Sequence, residues 1–97
     1  EFRRVLFRSR QDRGRLSKML DVLAPLGVYV WPSEANFLCV RVPHAHDVWR
    51  RLRDERSILV RDFSFTPGLE GCLRITVGKP EENDLVVAAL KSILKGE

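Results

Sequence analysis

Apolar positions recur along this chain with two periods, one helical and one alternating, and the changes of period mark out its elements. Leu16, Met19, Leu20 and Leu23 fall at i, i+3, i+4 and i+7, with arginines, Asp12, Lys18 and Asp21 elsewhere. This predicts an amphipathic helix from Arg10 to about Pro25, ended by Pro25 and Gly27. Val28 to Trp31 predicts a short strand, and Pro32 to Ala35 a turn. Phe37 to Val42 is nearly continuous in apolar residues, which predicts a strand buried on both sides, and Pro43 stops it. Ala45 to about Arg56 reads as a helix with Val48, Trp49 and Leu52 inward and Asp47 in its first turn. Ile58 to Asp62 is a third strand, followed by a loop that contains the turn pair Pro67-Gly68. Gly71 to Gly78 is a fourth. Pro80 suits the first position of a last helix, Glu81 and Glu82 favour its positive end, and Leu85, Val86, Ala89, Leu90, Ile93 and Leu94 form its apolar stripe. The order predicts an α+β domain, a short sheet of about four strands with helices packed on it.

Composition narrows the reading. With 97 residues, 44% of them apolar, the chain forms one domain with a modest core. Such a chain buries roughly 60–65% of its unfolded surface, so its independent stability is marginal. No apolar run reaches the roughly 18 residues of a membrane span, and no secretory signal pattern is present. Cys39 and Cys72 lie within predicted strands, which favours reduced thiols in a cytoplasmic protein over a disulfide or metal pair. The net charge of +4 belongs entirely to residues 1–15, where six arginines face Glu1 and Asp12; the remainder carries eleven basic and eleven acidic side chains. With no basic stripe interleaved with aromatics, neither a nucleic-acid nor a membrane partner is expected. Residues 1–9, Glu-Phe-Arg-Arg-Val-Leu-Phe-Arg-Ser, are identical to one translated frame of a common short-read sequencing adapter. They are read as a non-native tail, leaving 10–97 as the domain, cut off from what precedes it.

The candidate chemistry is concentrated on two arginines. In Cys72-Leu-Arg-Ile-Thr76, alternation puts Leu73, Ile75 and Val77 on one face and Arg74 on the other with Cys72 and Thr76. An arginine on a mostly buried strand needs an anion to face, either a protein carboxylate or a substrate carboxylate or phosphate. Arg61, at the end of the third strand, repeats the theme, and Asp62 points to the opposite face and is a poor partner for it. Two arginines near strand ends can together hold a dianion such as a phosphate monoester. His44 and His46 form an H-x-H pair but lack a third ligand nearby, so a polar loop is expected there rather than zinc. Arg50, Arg51, Arg53 and Arg56 interleave with Asp54 and Glu55 as a solvated helix face, and Trp31 and Trp49 read as core or interface anchors. No phosphate loop, nucleophile–base pair or paired carboxylates can be assembled, so no catalytic residue is assigned.

Three stretches occur in an order that resembles a known family: Ser33-Glu-Ala-Asn-Phe37, Ile58-Leu-Val-Arg-Asp62, and Gly71-Cys-Leu-Arg-Ile-Thr-Val-Gly78 followed by Pro80-Glu-Glu-Asn83. From Arg10 onward the chain is similar to the C-terminal small domain of the histidinol-phosphate aminotransferases, a branch of the fold-type I, pyridoxal-phosphate-dependent class I/II aminotransferases. Lys79 departs from the family's usual threonine or serine cap of the last helix, a loss of about 0.5–2 kcal/mol. The resemblance implies that Arg74 holds the substrate anion and that Arg61 contacts the substrate phosphate. It further implies a homodimeric, cytoplasmic enzyme of histidine biosynthesis that moves an amino group between L-histidinol phosphate and 2-oxoglutarate, forming glutamate. One guanidinium can accept either substrate's anion in turn. The pyridoxal phosphate and its lysine would belong to a large domain outside this sequence, so the fragment alone is expected to bind no cofactor and to be inactive. Two other readings remain at this point. One is another class I/II aminotransferase or a threonine-phosphate decarboxylase relative. The other is a free-standing α+β module for a small anion or a protein partner.

Overall fold

The computed structural model describes residues 2–33 and 36–96, with side chains from residue 11 onward. The chain runs through α1 (Phe2–Asp21), a 3-10 turn (Ala24–Leu26), β1 (Tyr29–Val30), β2 (Phe37–Arg41), α2 (Ala45–Arg56), β3 (Arg61–Asp62), β4 (Cys72–Thr76) and α3 (Pro80–Leu94). The α+β class and the order of elements follow the periodicity. The helical backbone of α1 starts at Phe2 rather than Arg10, so it includes most of the segment read as a tail. The side chains of that segment, and Glu34 and Ala35 of the expected turn, lie outside the described residues.

Strands follow the order β1-β2-β4-β3, each pair antiparallel. All three helices cover one face. Leu38, Val40, Leu73 and Ile75 from that face join Leu16, Leu20 and Leu23 of the first helical stretch, Ala45, Val48 and Leu52 of α2, and Ala89, Leu90 and Ile93 of α3 in one buried core. Helix-to-helix links at the rim include Arg15 to Asp84 (3.2 Å) and Arg56 to the Ser92 hydroxyl (2.9 Å).

Coverage on one side overturns the expectation that β2 is buried on both. Its Leu38 and Val40 are buried, whereas Phe37 and Cys39 are half-buried and Arg41 is exposed. An apolar run does not reveal how many faces are covered, and among the described residues no helix lies on the second. Leu85, assigned to the stripe of α3, is also turned outward, 64% exposed. Of the expected third strand, Arg61 and Asp62 pair with β4, and the Phe63 N–H adds one bond to the Cys72 carbonyl (3.1 Å).

Local chemistry fixes the connections. Gly27 takes φ 90°, and a Cβ there would stand 2.8 Å from the Pro43 ring, so only glycine fits. At the start of α3 the Lys79 side chain makes no cap. Glu82 instead accepts the Lys79 backbone N–H (2.9 Å), and the buried Asn83 amide takes both polar groups of Gly78, accepting its N–H (2.8 Å) and donating to its carbonyl (3.1 Å). These bonds join the end of β4 rigidly to α3.

Candidate functional site

The helix-free face of the sheet can be laid out from its register. Pairing Arg41 with Cys72, Cys39 with Arg74, and Phe37 with Thr76 places these residues on one surface, and pairing Arg61 with Arg74 extends it to the edge strand. Tyr29 lies opposite Arg41 at the other edge, and Trp31 follows it, its N–H bonded to the Cys39 carbonyl (3.0 Å). Arg74 therefore has Cys39 on one side and Arg61 on the other. The expectation that both arginines lie near strand ends is corrected: Arg74 is the central residue of β4 and Arg61 the first of β3, and the antiparallel return of the chain through residues 63–71 brings them directly opposite.

This face differs electrostatically from the helices. Arg50, Arg51 and Arg53 each lie against a carboxylate of their own helix, Asp47, Glu55 and Asp54. The hydrogen bonds from these arginines hold all three carboxyls below their ordinary range. Arg41, Arg61 and Arg74 have no carboxylate partner among the described residues. Each lies over an aromatic ring instead, Arg41 over Trp31 (5.1 Å to the centroid), Arg61 over Phe63 (5.5 Å) and Arg74 over Phe37 (4.9 Å). The ring faces give each guanidinium a weak attraction, about 0.5–1 kcal/mol at exposed sites. They accept no full hydrogen bond.

Arg74 is the most demanding of the three. Its Nε is buried and, among the described residues, has no acceptor. A buried donor left without a partner costs roughly 1–3 kcal/mol, and like charges directly opposite across strands add roughly 0.2–1 kcal/mol. The protein carboxylate that one reading of Arg74 required is thus not found among the described residues. An anion seated between Arg61 and Arg74 would relieve both penalties, and a planar guanidinium suits carboxylate or phosphate equally.

The thiols lie beside this site. Cys72 is buried and Cys39 half-buried, both free. Burial, with the neighbouring Cys72 thiol, pushes the Cys39 thiol above its ordinary range, so it is neutral rather than nucleophilic. Of the two histidines, His44 precedes α2 in a left-handed conformation (φ 51°). His46 contacts Asp62, Nδ1 to Oδ2 at 2.7 Å, a partnership the sequence did not reveal. Asp62 also accepts the Ser64 backbone N–H (2.9 Å) and its hydroxyl. Burial raises the Asp62 carboxyl, but these hydrogen bonds outweigh it and hold the group below its ordinary range. Among the described residues, no three histidine, cysteine or acidic side chains are gathered for a metal.

A lysine able to carry pyridoxal phosphate is a separate question. Lys18, Lys79, Lys91 and Lys95 are all exposed, on α1, at the start of α3, on α3 and just beyond it, and none is on the arginine face. The residues described here do not fit that cofactor.

Known proteins resemble this arrangement. The histidinol-phosphate aminotransferase of Aquifex aeolicus is 50% identical over 80 residues, 80% of this chain and 22% of that protein. A decarboxylase from Sulfurospirillum multivorans shares the fold at TM-score 0.79 and 39% identity, over 87% of this chain and 24% of its own. A histidinol-phosphate aminotransferase from Sinorhizobium meliloti, solved in complex with pyridoxal-5'-phosphate, aligns at TM-score 0.69 and 29% identity, over 94% of this chain and 24% of its own. The chain therefore spans about a quarter of the length of these relatives. The sequence pattern of one family, described as aminotransferase class I and II, matches residues 3–90, and the chain belongs to that family.

Proposed function

We propose that this chain is the C-terminal small domain of a histidinol-phosphate aminotransferase, with Arg74 and Arg61 as its contacts to the substrate anion. The observation that carries the reading is the opposed arginine pair on a sheet face without a described carboxylate partner, Arg74 having a buried, unpartnered Nε. The 50% identity to a histidinol-phosphate aminotransferase supports the choice of substrate. In the complete protein the amino group would pass between L-histidinol phosphate and 2-oxoglutarate, within histidine biosynthesis. Arg74 and Arg61 bind and orient: they hold the phosphate of one substrate and a carboxylate of the other in the same place. Charge-assisted, bidentate contacts fix the distance from that anchor to the reacting amine. Pyridoxal phosphate would be held by the large domain, and the complete enzyme would be a cytoplasmic homodimer. No chemical step is assigned to residues of this chain, and residues 1–9 are taken as non-native.

A decarboxylase acting on threonine phosphate is the second reading, favoured by the 31% identity to the L-threonine-O-3-phosphate decarboxylase of Porphyromonas gingivalis, whose structure this chain matches at TM-score 0.73 over 89% of its own length and 28% of that chain. It would use the same arginines on the same kind of anion. Recovering the complete coding sequence and assaying its product with both substrates separates the two. Glutamate formed from 2-oxoglutarate with histidinol phosphate, and lost in Arg74→Ala, supports the leading reading. Carbon dioxide from threonine phosphate with no transamination refutes it.

A further inference from the structure

We infer that His46 is a positioning residue for the anion site: it holds Asp62, and through Asp62 the edge strand that presents Arg61. The inference rests on the anion-site reading above. Arg61 and Asp62 of β3 pair with β4, one further backbone bond runs from the Phe63 N–H to the Cys72 carbonyl (3.1 Å), and β3 ends the sheet. So short a ladder leaves Arg61 poorly fixed by backbone bonds alone.

Helix α2 supplies the missing restraint from the opposite face. The Trp49 indole Nε1–H donates to the Val60 carbonyl (2.9 Å), and His46 Nδ1 meets Asp62 Oδ2 (2.7 Å). An ionised carboxylate only accepts, so His46 is the donor. The Asp62 carboxylate is 10% exposed, and its second oxygen is taken by Ser64 at the start of the following loop. The His46 ring is stacked on Trp49 (centroids 5.5 Å, planes 23° apart) and meets the Phe65 ring edge-on (5.3 Å). Val60 and Asp62 flank Arg61 in sequence and alternate with it in direction. Gripping both from the helix side therefore sets the position of the guanidinium on the other side. A shift of about 1 Å there is enough to spoil a bidentate contact.

The test is a double-mutant cycle on the 97-residue chain, with inorganic phosphate as the probe and the arginine side-chain NMR signals as the readout. We expect His46→Ala to weaken phosphate binding several-fold when Arg61 is present and to have no further effect in Arg61→Ala. His46→Gln, whose amide can donate to Asp62, should recover most of the loss. Equal losses in both backgrounds, or wild-type affinity in His46→Ala, overturn the inference while leaving the anion site intact. If His46→Ala does not fold, Asp62→Asn completes the same cycle with the same expected and overturning results. No saturable binding of phosphate by the wild-type chain overturns the anion-site reading and this inference with it.

Discussion

Replacing Arg74 by methionine should stabilise the domain while abolishing its anion site. Methionine keeps the unbranched stem beside Phe37 but removes the guanidinium, whose Nε is buried without a described partner. Relief of that donor is worth roughly 1–3 kcal/mol. Removing the like charge opposite Arg61 adds roughly 0.2–1 kcal/mol. Loss of the contact with the Phe37 ring subtracts about 0.5–1 kcal/mol. The balance favours the variant by about 0.2–3.5 kcal/mol, centred on about 2 kcal/mol. For a domain of this size, each kcal/mol raises Tm by roughly 4–8 °C. The assay is thermal and urea unfolding followed by circular dichroism in a phosphate-free buffer, then again with added phosphate. Phosphate should stabilise the wild type and leave Arg74→Met unchanged, narrowing or reversing the gap. A variant that loses more than about 1 kcal/mol without phosphate would refute the reasoning, because removing one partner of a satisfied internal pair is what destabilises.

Three further outcomes follow from the geometry. Ser57 ends α2 at φ 55°, a conformation that costs a non-glycine residue roughly 1–2 kcal/mol, against roughly 0.5–1 kcal/mol of added chain entropy for glycine. Ser57→Gly should therefore raise the urea midpoint modestly. Asn83→Ala strands the Gly78 N–H and carbonyl and should lower stability by about 1–3 kcal/mol, seen as a lower Tm. Asp62 is held below its ordinary range when folded, so its contribution is present above the unfolded value of about 3.9 and is lost as pH falls through the folded one. The stability gap between wild type and Asp62→Asn in urea should accordingly shrink on acidification; a constant gap would show that the carboxylate's charge plays no part.

Much of this fold was legible because each element announces its period. Leu16, Leu20 and Leu23 at helical spacing are all buried, and α2 spans Ala45–Arg56 as its apolar side and flanking Pro43 indicate. Alternation also put Arg74 on the face opposite Leu73 and Ile75, and separated Arg61 from Asp62. What alternation cannot supply is register. That Arg61 stands opposite Arg74, with Cys39 on the other side, depends on how the loop between β3 and β4 closes. Coverage is equally hidden: Phe37-Leu-Cys-Val reads as a two-sided core strand, yet among the described residues helices lie on one side only. The His46–Asp62 contact joins a helix to a strand across 16 residues and becomes visible only once both are packed. The left-handed turn at Ser57 carries no local signal, and the one at His44 only the weak enrichment of histidine in that conformation.

The most direct test of the central claim is an NMR titration of the wild-type chain with inorganic phosphate, following the Nε–Hε signals of its arginines. The account predicts saturable shifts at Arg74 and Arg61, while Arg50, Arg51 and Arg53, already paired with carboxylates, stay still. Uniform small shifts at every arginine, or none at Arg74, would contradict it.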